Sequence, residues 1–146
     1  NFIQAVKQRL GIQEFEFDFA ADKRNTQADY FWSTQNNSLA RTSFEWHNYC
    51  QNWGWLNPPF ENILPWAIRC YQVHQLGGSV AFLVPASVGS NWFRDYVDRV
   101  AWVLFLNGRL AFMPDKPTWL YPKDCILCLY SSTVEPGYEV WNWRKQ

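Results

Sequence analysis

The sequence predicts an α/β fold built on a mostly parallel sheet, with antiparallel strands at its C-terminal edge. Strand-like and helix-like segments alternate through the middle of the chain. The strand-like segments are almost continuously apolar, as in parallel sheets that helices cover. The last strand-like segments follow one another without helices between them, which favours antiparallel pairing. The length of 146 residues indicates a single domain, residues 1–146.

The first half of the chain predicts a helix, a strand and a long polar segment. Residues 5–10 are predicted to be helical, and Gly11 provides a stop. Phenylalanines alternate with acidic residues over 14–19, which is the period of a strand, and Asp18 lies near its end. Residues 22–48 are polar and irregular. A long irregular segment in a compact domain is often a binding loop.

Apolar runs separated by Pro, Gly and polar turns predict the remaining elements. In chain order they are a strand at 53–56, a helix at 61–76, a strand at 79–84, a helix at 91–97, a strand at 100–106, a turn at 107–108, and strands at 110–112, 125–130 and 138–143.

The composition excludes several classes of protein. Hydrophobic residues make up 48% and charged residues 18% of the chain, which excludes intrinsic disorder. Thirteen basic and thirteen acidic residues give zero net charge. This balance argues against a strongly basic nucleic-acid clamp and leaves a local basic face open. No apolar run reaches the ~18 to 20 residues of a membrane span, so we expect no membrane partner.

The four cysteines are predicted to be reduced core residues in a cytoplasmic protein. The N-terminus lacks the charged-then-apolar layout of a secretory signal. Cys125 and Cys128 lie three positions apart in an apolar run, and a strand would turn them to opposite faces. Cys50 and Cys70 do not complete a zinc-binding pattern, so we expect no metal.

The most informative motif is Asn57-Pro58-Pro59-Phe60. Its prolines end the preceding strand, so the motif falls where open α/β sheets bind ligands, at the carboxyl ends of parallel strands. Asp18 falls at the same rim, and the two together predict a site there. Taken alone, Asn-Pro-Pro is also an ordinary turn, and Asp18 is also explained as the cap of a following turn.

The tetrapeptide resembles the catalytic Asp/Asn/Ser-Pro-Pro-Tyr/Phe motif of amino methyltransferases. Further segments resemble, in the same order, the phage-type DNA adenine-N6 methyltransferases of the Dam family. The likeness covers roughly residues 12–130. The segments that carry it are 17–22, 37–39, 53–60, 66–67, 84–86, 91–93 and 105–112.

The resemblance implies a Rossmann-like methyltransferase fold, S-adenosylmethionine as methyl donor and DNA as partner, in a bacterial or phage-infected host cell. It assigns methyl transfer to the tetrapeptide. The positions that it assigns to the cofactor are Asp18, Ala20, Ala21, Asn37, Ser38 and Leu39. Asn37 stands where the family usually has an acidic residue, and no G-x-G loop follows the first strand.

Adenine methylation explains why the tetrapeptide has these residues. The amino nitrogen of adenine is a poor nucleophile because its lone pair is delocalised into the ring. An enzyme must hold it in line with the methyl group and accept its hydrogen bonds as positive charge develops. We expect the Asn57 side-chain oxygen and the Pro58 carbonyl to accept these bonds. Pro59 helps to fix the backbone, and Phe60 offers a face on which a flipped base stacks.

Arg109 and Trp92 are the candidate substrate-binding residues. Arg109 would meet a phosphate or shape the base pocket, with a solvated hairpin arginine as the alternative. Trp92 would form a substrate lip, with packing of its helix as the alternative. The chain leaves little room for a separate recognition domain, so we expect weak sequence preference unless a homodimer partner contributes. Two other functions stay open: methylation of protein glutamine or RNA guanine, and a catalytically silent descendant that binds nucleic acid or protein.

Overall fold

Alternating apolar strands and helices fold into one six-stranded sheet with helices on both faces. The computed structural model describes residues 1–145. A short 3-10 turn at Ser38–Ala40 precedes the second helix. In chain order the elements are α1 (Phe2–Leu10), β1 (Phe17–Asp18), α2 (Ser43–His47), β2 (Gly54–Leu56), α3 (Leu64–Gln75), β3 (Val80–Pro85), α4 (Asn91–Tyr96), β4 (Trp102–Leu106), β5 (Cys125–Tyr130) and β6 (Gly137–Trp141).

The sheet has the order β1-β2-β3-β5-β4-β6. β1, β2 and β3 pair in parallel, and β6 is parallel to β4. β5 is antiparallel to both of its neighbours, so it alone among the described strands runs the opposite way. The predicted α/β class and the mostly parallel sheet are confirmed. The carboxyl ends of β1, β2 and β3 therefore meet at one rim.

The predicted antiparallel C-terminal edge is wrong. β5 lies inside the sheet, between β3 and β4, and all six of its residues are buried. An unbroken apolar run needs cover on both faces, which an interior strand has and an edge strand lacks. β6 is the edge strand and exposes alternate residues. It is parallel to β4 because the 131–136 connection returns the chain to the start of β4, where Trp102 pairs with Gly137.

Two predicted strands differ from the structure. The predicted strand at 110–112 is wrong: residues 107–124, all of them described, contain neither helix nor strand. Leu110 is apolar because it is buried in the core, not because it belongs to the sheet. The strand predicted from the phenylalanines at 14–19 is shorter in the structure, Phe17–Asp18. Phe17 and Phe19 share the face covered by α2, α3 and α4, with ring centroids 5.1 Å apart. Phe15 packs on the opposite face.

The core has two layers, one on each face of the sheet. Val80, Phe82 and Val84 face the layer covered by α2, α3 and α4. Ala81 and Leu83 alternate with them and face the layer covered by α1. This alternation along a fully buried strand accounts for its continuous apolar sequence.

The cysteines belong to the core, as predicted. All four are free and buried. Cys125 packs in the α1 layer and Cys128 in the α3 layer, which confirms that a strand separates them to opposite faces. Within residues 1–145, no helix has the length and apolar character that crossing a membrane requires.

Candidate functional site

A cavity of about 490 Å³ opens at the carboxyl ends of β1 and β2. This volume lies in the range of small-molecule sites. The chain leaving β1, the irregular segment before α2 and the turn after β2 form its walls, and α3 adds one aromatic side chain. The lining residues are Phe19, Ala20, Ala21, Asp22, Asn25, Ser33, Thr34, Asn37, Ser38, Leu39, Asn57, Pro58, Pro59 and Trp66.

Eight of the predicted site residues line this cavity. They are Ala20, Ala21, Asn37, Ser38, Leu39, Asn57, Pro58 and Pro59. The described lining does not include Asp18, Phe60, Trp92 or Arg109. Sequence reasoning missed Asn25, Ser33 and Thr34, because an irregular segment has no periodicity to show which side chains share a wall. It also missed Trp66, which an apolar helix pattern assigns to the core.

Asp18 lies outside the cavity lining and stabilises the segment that follows β1. Its side chain is buried, and its Oδ1 and Oδ2 accept hydrogen bonds from the backbone N–H groups of Ala20 (3.2 Å) and Gln27 (2.9 Å). The carboxylate therefore caps the turn that follows β1. Burial raises the pKa of Asp18 to about 6, against the lowering effect of the Gln27 and Ala20 hydrogen bonds.

The 33–39 wall is fixed by side chains of α2 and α3. The Ser38 carbonyl accepts a hydrogen bond from the buried Trp46 indole (2.9 Å). The Arg69 guanidinium donates to the Leu39 carbonyl (3.3 Å) and to the Arg41 carbonyl. Asn37 has φ = 50°, in the left-handed region that Asn tolerates better than most residues. Contacts to two helices thus hold the wall, in addition to its own turns and the 3-10 turn at Ser38–Ala40.

Two polar atoms at the cavity lack hydrogen-bond partners. Ser38 Oγ and Asn57 Oδ1 are shielded from solvent, and neither bonds to another described residue. A buried polar group without a partner costs about 1–3 kcal/mol. Native proteins contain few such groups, and those present often have a functional reason. Both residues line one cavity, so a ligand there could supply the missing partners.

Asp22 is the one charged side chain among the described lining residues. Its Oδ1 accepts hydrogen bonds from the backbone N–H groups of Arg24 (2.8 Å) and Asn25 (3.1 Å). The Arg24 N–H bond is the main reason that the pKa of Asp22 lies below its usual value. The exposed Arg24 guanidinium lies 3.6 Å from Asp22 Oδ2 and offsets part of this charge. Asp22 is nevertheless the one charged group on the described wall, so it favours a cationic group on a ligand that contacts it.

Phe60 belongs to a cluster of three rings beside the cavity. Its ring meets the rings of Phe112 (centroids 5.8 Å apart, interplanar angle 80°) and Tyr121 (5.6 Å, 63°) edge to face. Phe112 and Tyr121 also contact each other at 5.4 Å. The position of Phe60 is consequently coupled to the loop between β4 and β5, a contact for which the sequence offers no signal.

The predicted substrate-binding residues lie elsewhere. Trp92 packs against the α3-side core and contacts Phe93 at 6.1 Å, which agrees with the helix-packing alternative. Arg109 is half-exposed, and its Nε lies 3.4 Å from Asp124 Oδ1. In the part of the chain that the structure describes, no group of His, Cys, Asp and Glu side chains is arranged to hold a metal ion.

These features define the class of protein: an α/β protein with a small-molecule site at the carboxyl ends of its parallel strands. The model of one family, described as "DNA N-6-adenine-methyltransferase (Dam)", matches residues 1–121. That match covers most of the chain. The chain belongs to this family, and the predicted membership is confirmed.

A phage protein is also similar to the chain. The "DNA N-6-adenine-methyltransferase" of Haemophilus phage HP1 (strain HP1c1) is 27% identical over 103 residues. The matched region covers 68% of this chain and 56% of that protein. The chain therefore spans little more than half the length of this relative.

Proposed function

We propose that the chain is an S-adenosylmethionine-dependent methyltransferase that acts on the N6 amino group of adenine in DNA. The observation that carries the proposal is the unpaired, buried Asn57 Oδ1 in an Asn-Pro-Pro turn at the cavity. A site that must accept a hydrogen bond from an amino group needs such a free acceptor. Membership of the Dam family and the phage relative support adenine in DNA as the substrate.

We infer that S-adenosylmethionine is the ligand of the cavity. This molecule carries a sulfonium and an ammonium group against one carboxylate, so its net charge is positive. Asp22, the charged member of the described lining, has the complementary sign. Ser38 Oγ supplies an unpaired polar atom for the hydroxyl or amino groups of the cofactor, and Trp66 supplies an aromatic wall. This fit also supports the Rossmann-like methyltransferase fold as our interpretation of the sheet.

When bound, the cofactor would supply a methyl group on a sulfonium: a bond from the adenine amino nitrogen to this methyl group would replace the sulfur–methyl bond, the neutral thioether would leave, and the nitrogen would lose one proton. Asn57 accepts a hydrogen bond from the amino group at Oδ1, and the Pro58 carbonyl accepts a second. Both acceptors stabilise the positive charge that develops on the nitrogen. Pro58 and Pro59 restrict the backbone, which keeps the acceptors in place before the substrate arrives.

The target base would leave the duplex to reach this site, because a stacked and paired amino group is inaccessible. Phe60 follows the Asn57-Pro58-Pro59 turn that carries the acceptors, and base stacking on an aromatic ring is worth about 1–3 kcal/mol. Phe112 and Tyr121 hold its ring from two sides. The chain would methylate DNA in the cytoplasm of a bacterium or phage-infected cell. A homodimer stays a prediction.

A methyl-transfer assay tests the proposal. The chain and tritiated S-adenosylmethionine are incubated in parallel with unmethylated DNA, RNA and a cell-protein extract. We expect label in DNA, recovered as N6-methyladenine. Asn57→Ala should lower kcat by roughly 10²- to 10³-fold, as is typical when one preorganised partner of a developing charge is removed. Asn52→Ala, an exposed asparagine two residues before β2, is the matched control.

Calorimetric binding of the cofactor completes the experiment. Label in RNA or protein would indicate that the chain methylates a different amino group from the N6 of adenine in DNA. No label in any of the three, together with no heat of cofactor binding, would refute the enzyme and leave a binding protein.

A further inference from the structure

Residues 107–124, here called the β4–β5 loop, form a projection that is closed at its base. The Tyr121 N–H donates to the Leu110 carbonyl at 2.8 Å, and Leu110 is buried in the core. Arg109 and Asp124 face each other at 3.4 Å on the outer side of this closure. Every residue from 113 to 120 is exposed. The fold thus anchors the base of the loop and leaves its tip in solvent.

The tip exposes three large apolar side chains. Met113 and Trp119 are each 44% exposed and Leu120 is 52% exposed. Neither core cluster of the described chain includes them. Local turns order the tip, since Lys116 N–H donates to the Met113 carbonyl (3.0 Å) and Trp119 N–H to the Lys116 carbonyl (3.1 Å). Large apolar side chains that an ordered loop leaves in solvent are a feature of interaction surfaces.

The tip begins and ends at the ring cluster of Phe60. Phe112 immediately precedes it and Tyr121 immediately follows it, and both rings contact Phe60. Phe60 is in turn continuous with the Asn57-Pro58-Pro59 turn at the cavity. A partner on the tip would therefore lie beside the Phe60 ring cluster and the turn that lines the cavity.

We propose that this tip is the surface that docks the DNA duplex around the target base. The inference rests on the proposed function. Lys116 on the tip and Lys123 at the base of the loop are exposed and form no ion pair with any residue in 1–145, which leaves both charges free for phosphates. The nearby Asp124 is paired with Arg109, while Asp115 has no such partner. Trp119 stacks at the gap that the flipped adenine leaves.

Binding of a labelled, unmethylated duplex tests the docking surface in the complete chain. Trp119→Ala should weaken duplex binding roughly 5- to 150-fold, which is the loss of one base–aromatic stack. The control is Phe44→Ala, which removes an exposed aromatic ring from α2, 69% exposed against 44% for Trp119. The double variant Lys116→Ala/Lys123→Ala should flatten the dependence of log K on log salt by about 0.9 per lysine. Lys145→Ala is its control.

Cofactor affinity and melting temperature separate the possible results. Both should stay at the wild-type value in every variant, because the tip lies outside the cavity. If the wild type methylates DNA and Trp119→Ala has the same duplex affinity and the same KM for DNA, the docking surface is refuted and the proposed function stands. If the wild-type chain neither binds nor methylates DNA, the proposed function fails and the docking surface fails with it.

Discussion

The buried carboxylate of Asp18 predicts an unusual pH dependence of stability. Burial raises its pKa in the folded chain to about 6, from an ordinary value of 3.8. The folded state then binds a proton more tightly than the unfolded state does. The contribution of Asp18 to the free energy of unfolding is therefore largest below pH 3.8 and falls as the pH rises through about 6.

The size of the effect follows from the two pKa values. At about 1.36 kcal/mol per pH unit, the difference between about 6 and 3.8 corresponds to about 3 kcal/mol. Roughly 2.4 kcal/mol of this loss falls between pH 4 and pH 7. Asp22, Asp95 and Glu139 have lowered pKa values and contribute in the opposite direction. A variant at position 18 is therefore needed to separate the contribution of Asp18 to the free energy of unfolding from those of the other carboxylates.

Asp18→Asn removes the titration and keeps the shape. The amide oxygen can still accept from Gln27 N–H, whereas the amide nitrogen cannot accept from Ala20 N–H, which costs about 1 kcal/mol at every pH. Urea unfolding of both proteins from pH 4 to pH 7 gives the difference in free energy. We expect the wild type to lose about 2 kcal/mol relative to the variant over this range. If the wild type instead gains stability relative to the variant as the pH rises, the two N–H bonds outweigh desolvation and the reasoning is refuted.

Three further variants test the cavity and its supports. Ser38→Ala should leave the free energy of unfolding equal or higher, because an unpaired buried hydroxyl is removed, while calorimetry should show weaker cofactor binding by about fivefold to tenfold. Arg69→Met should weaken cofactor binding, because the Leu39 carbonyl in the cavity wall loses its donor. Circular dichroism should show that the fold is retained. Gly54→Ala places a Cβ 2.5 Å from the Phe19 ring and should lower stability by about 1–3 kcal/mol in urea, whereas Gly89→Ala meets nothing within 4 Å and should not.

Much of the sheet could be predicted from the sequence, and its strand order could not. The apolar run of β3 between Gly78 and Ala86 has only one consistent interpretation, a buried strand. The position of β5 depends on pairing with strands more than twenty residues away in the chain, such as Phe82 with Cys128. Its unbroken apolar sequence did contain the relevant signal, because a strand without alternation is covered on both faces.

The candidate site was likewise predictable from the sequence only in part. The Asn57 turn was predictable because a local rule, strand followed by prolines, fixes its place at the rim. The direction of the Asp18 side chain was not, because it depends on the N–H of Gln27, nine residues later in an irregular segment. Ser33 and Thr34 reach the cavity for the same reason, through turns whose geometry only the folded chain defines.

The support of the cavity explains how loops can form a precise site. Two walls are fixed at backbone groups: Ala20 N–H by Asp18, the Ser38 carbonyl by Trp46, and the Leu39 carbonyl by Arg69. These bonds use backbone atoms and leave the neighbouring side chains free to meet a ligand. In the third wall, the turn after β2, Pro58 and Pro59 restrict the backbone beside Asn57. The same arrangement accounts for the two unpaired atoms, since a wall held rigidly from behind cannot relax to satisfy Ser38 Oγ or Asn57 Oδ1 internally. A ligand that supplied the missing partners would recover the unfavourable free energy of these groups, which is the form that preorganisation takes in a site built from loops.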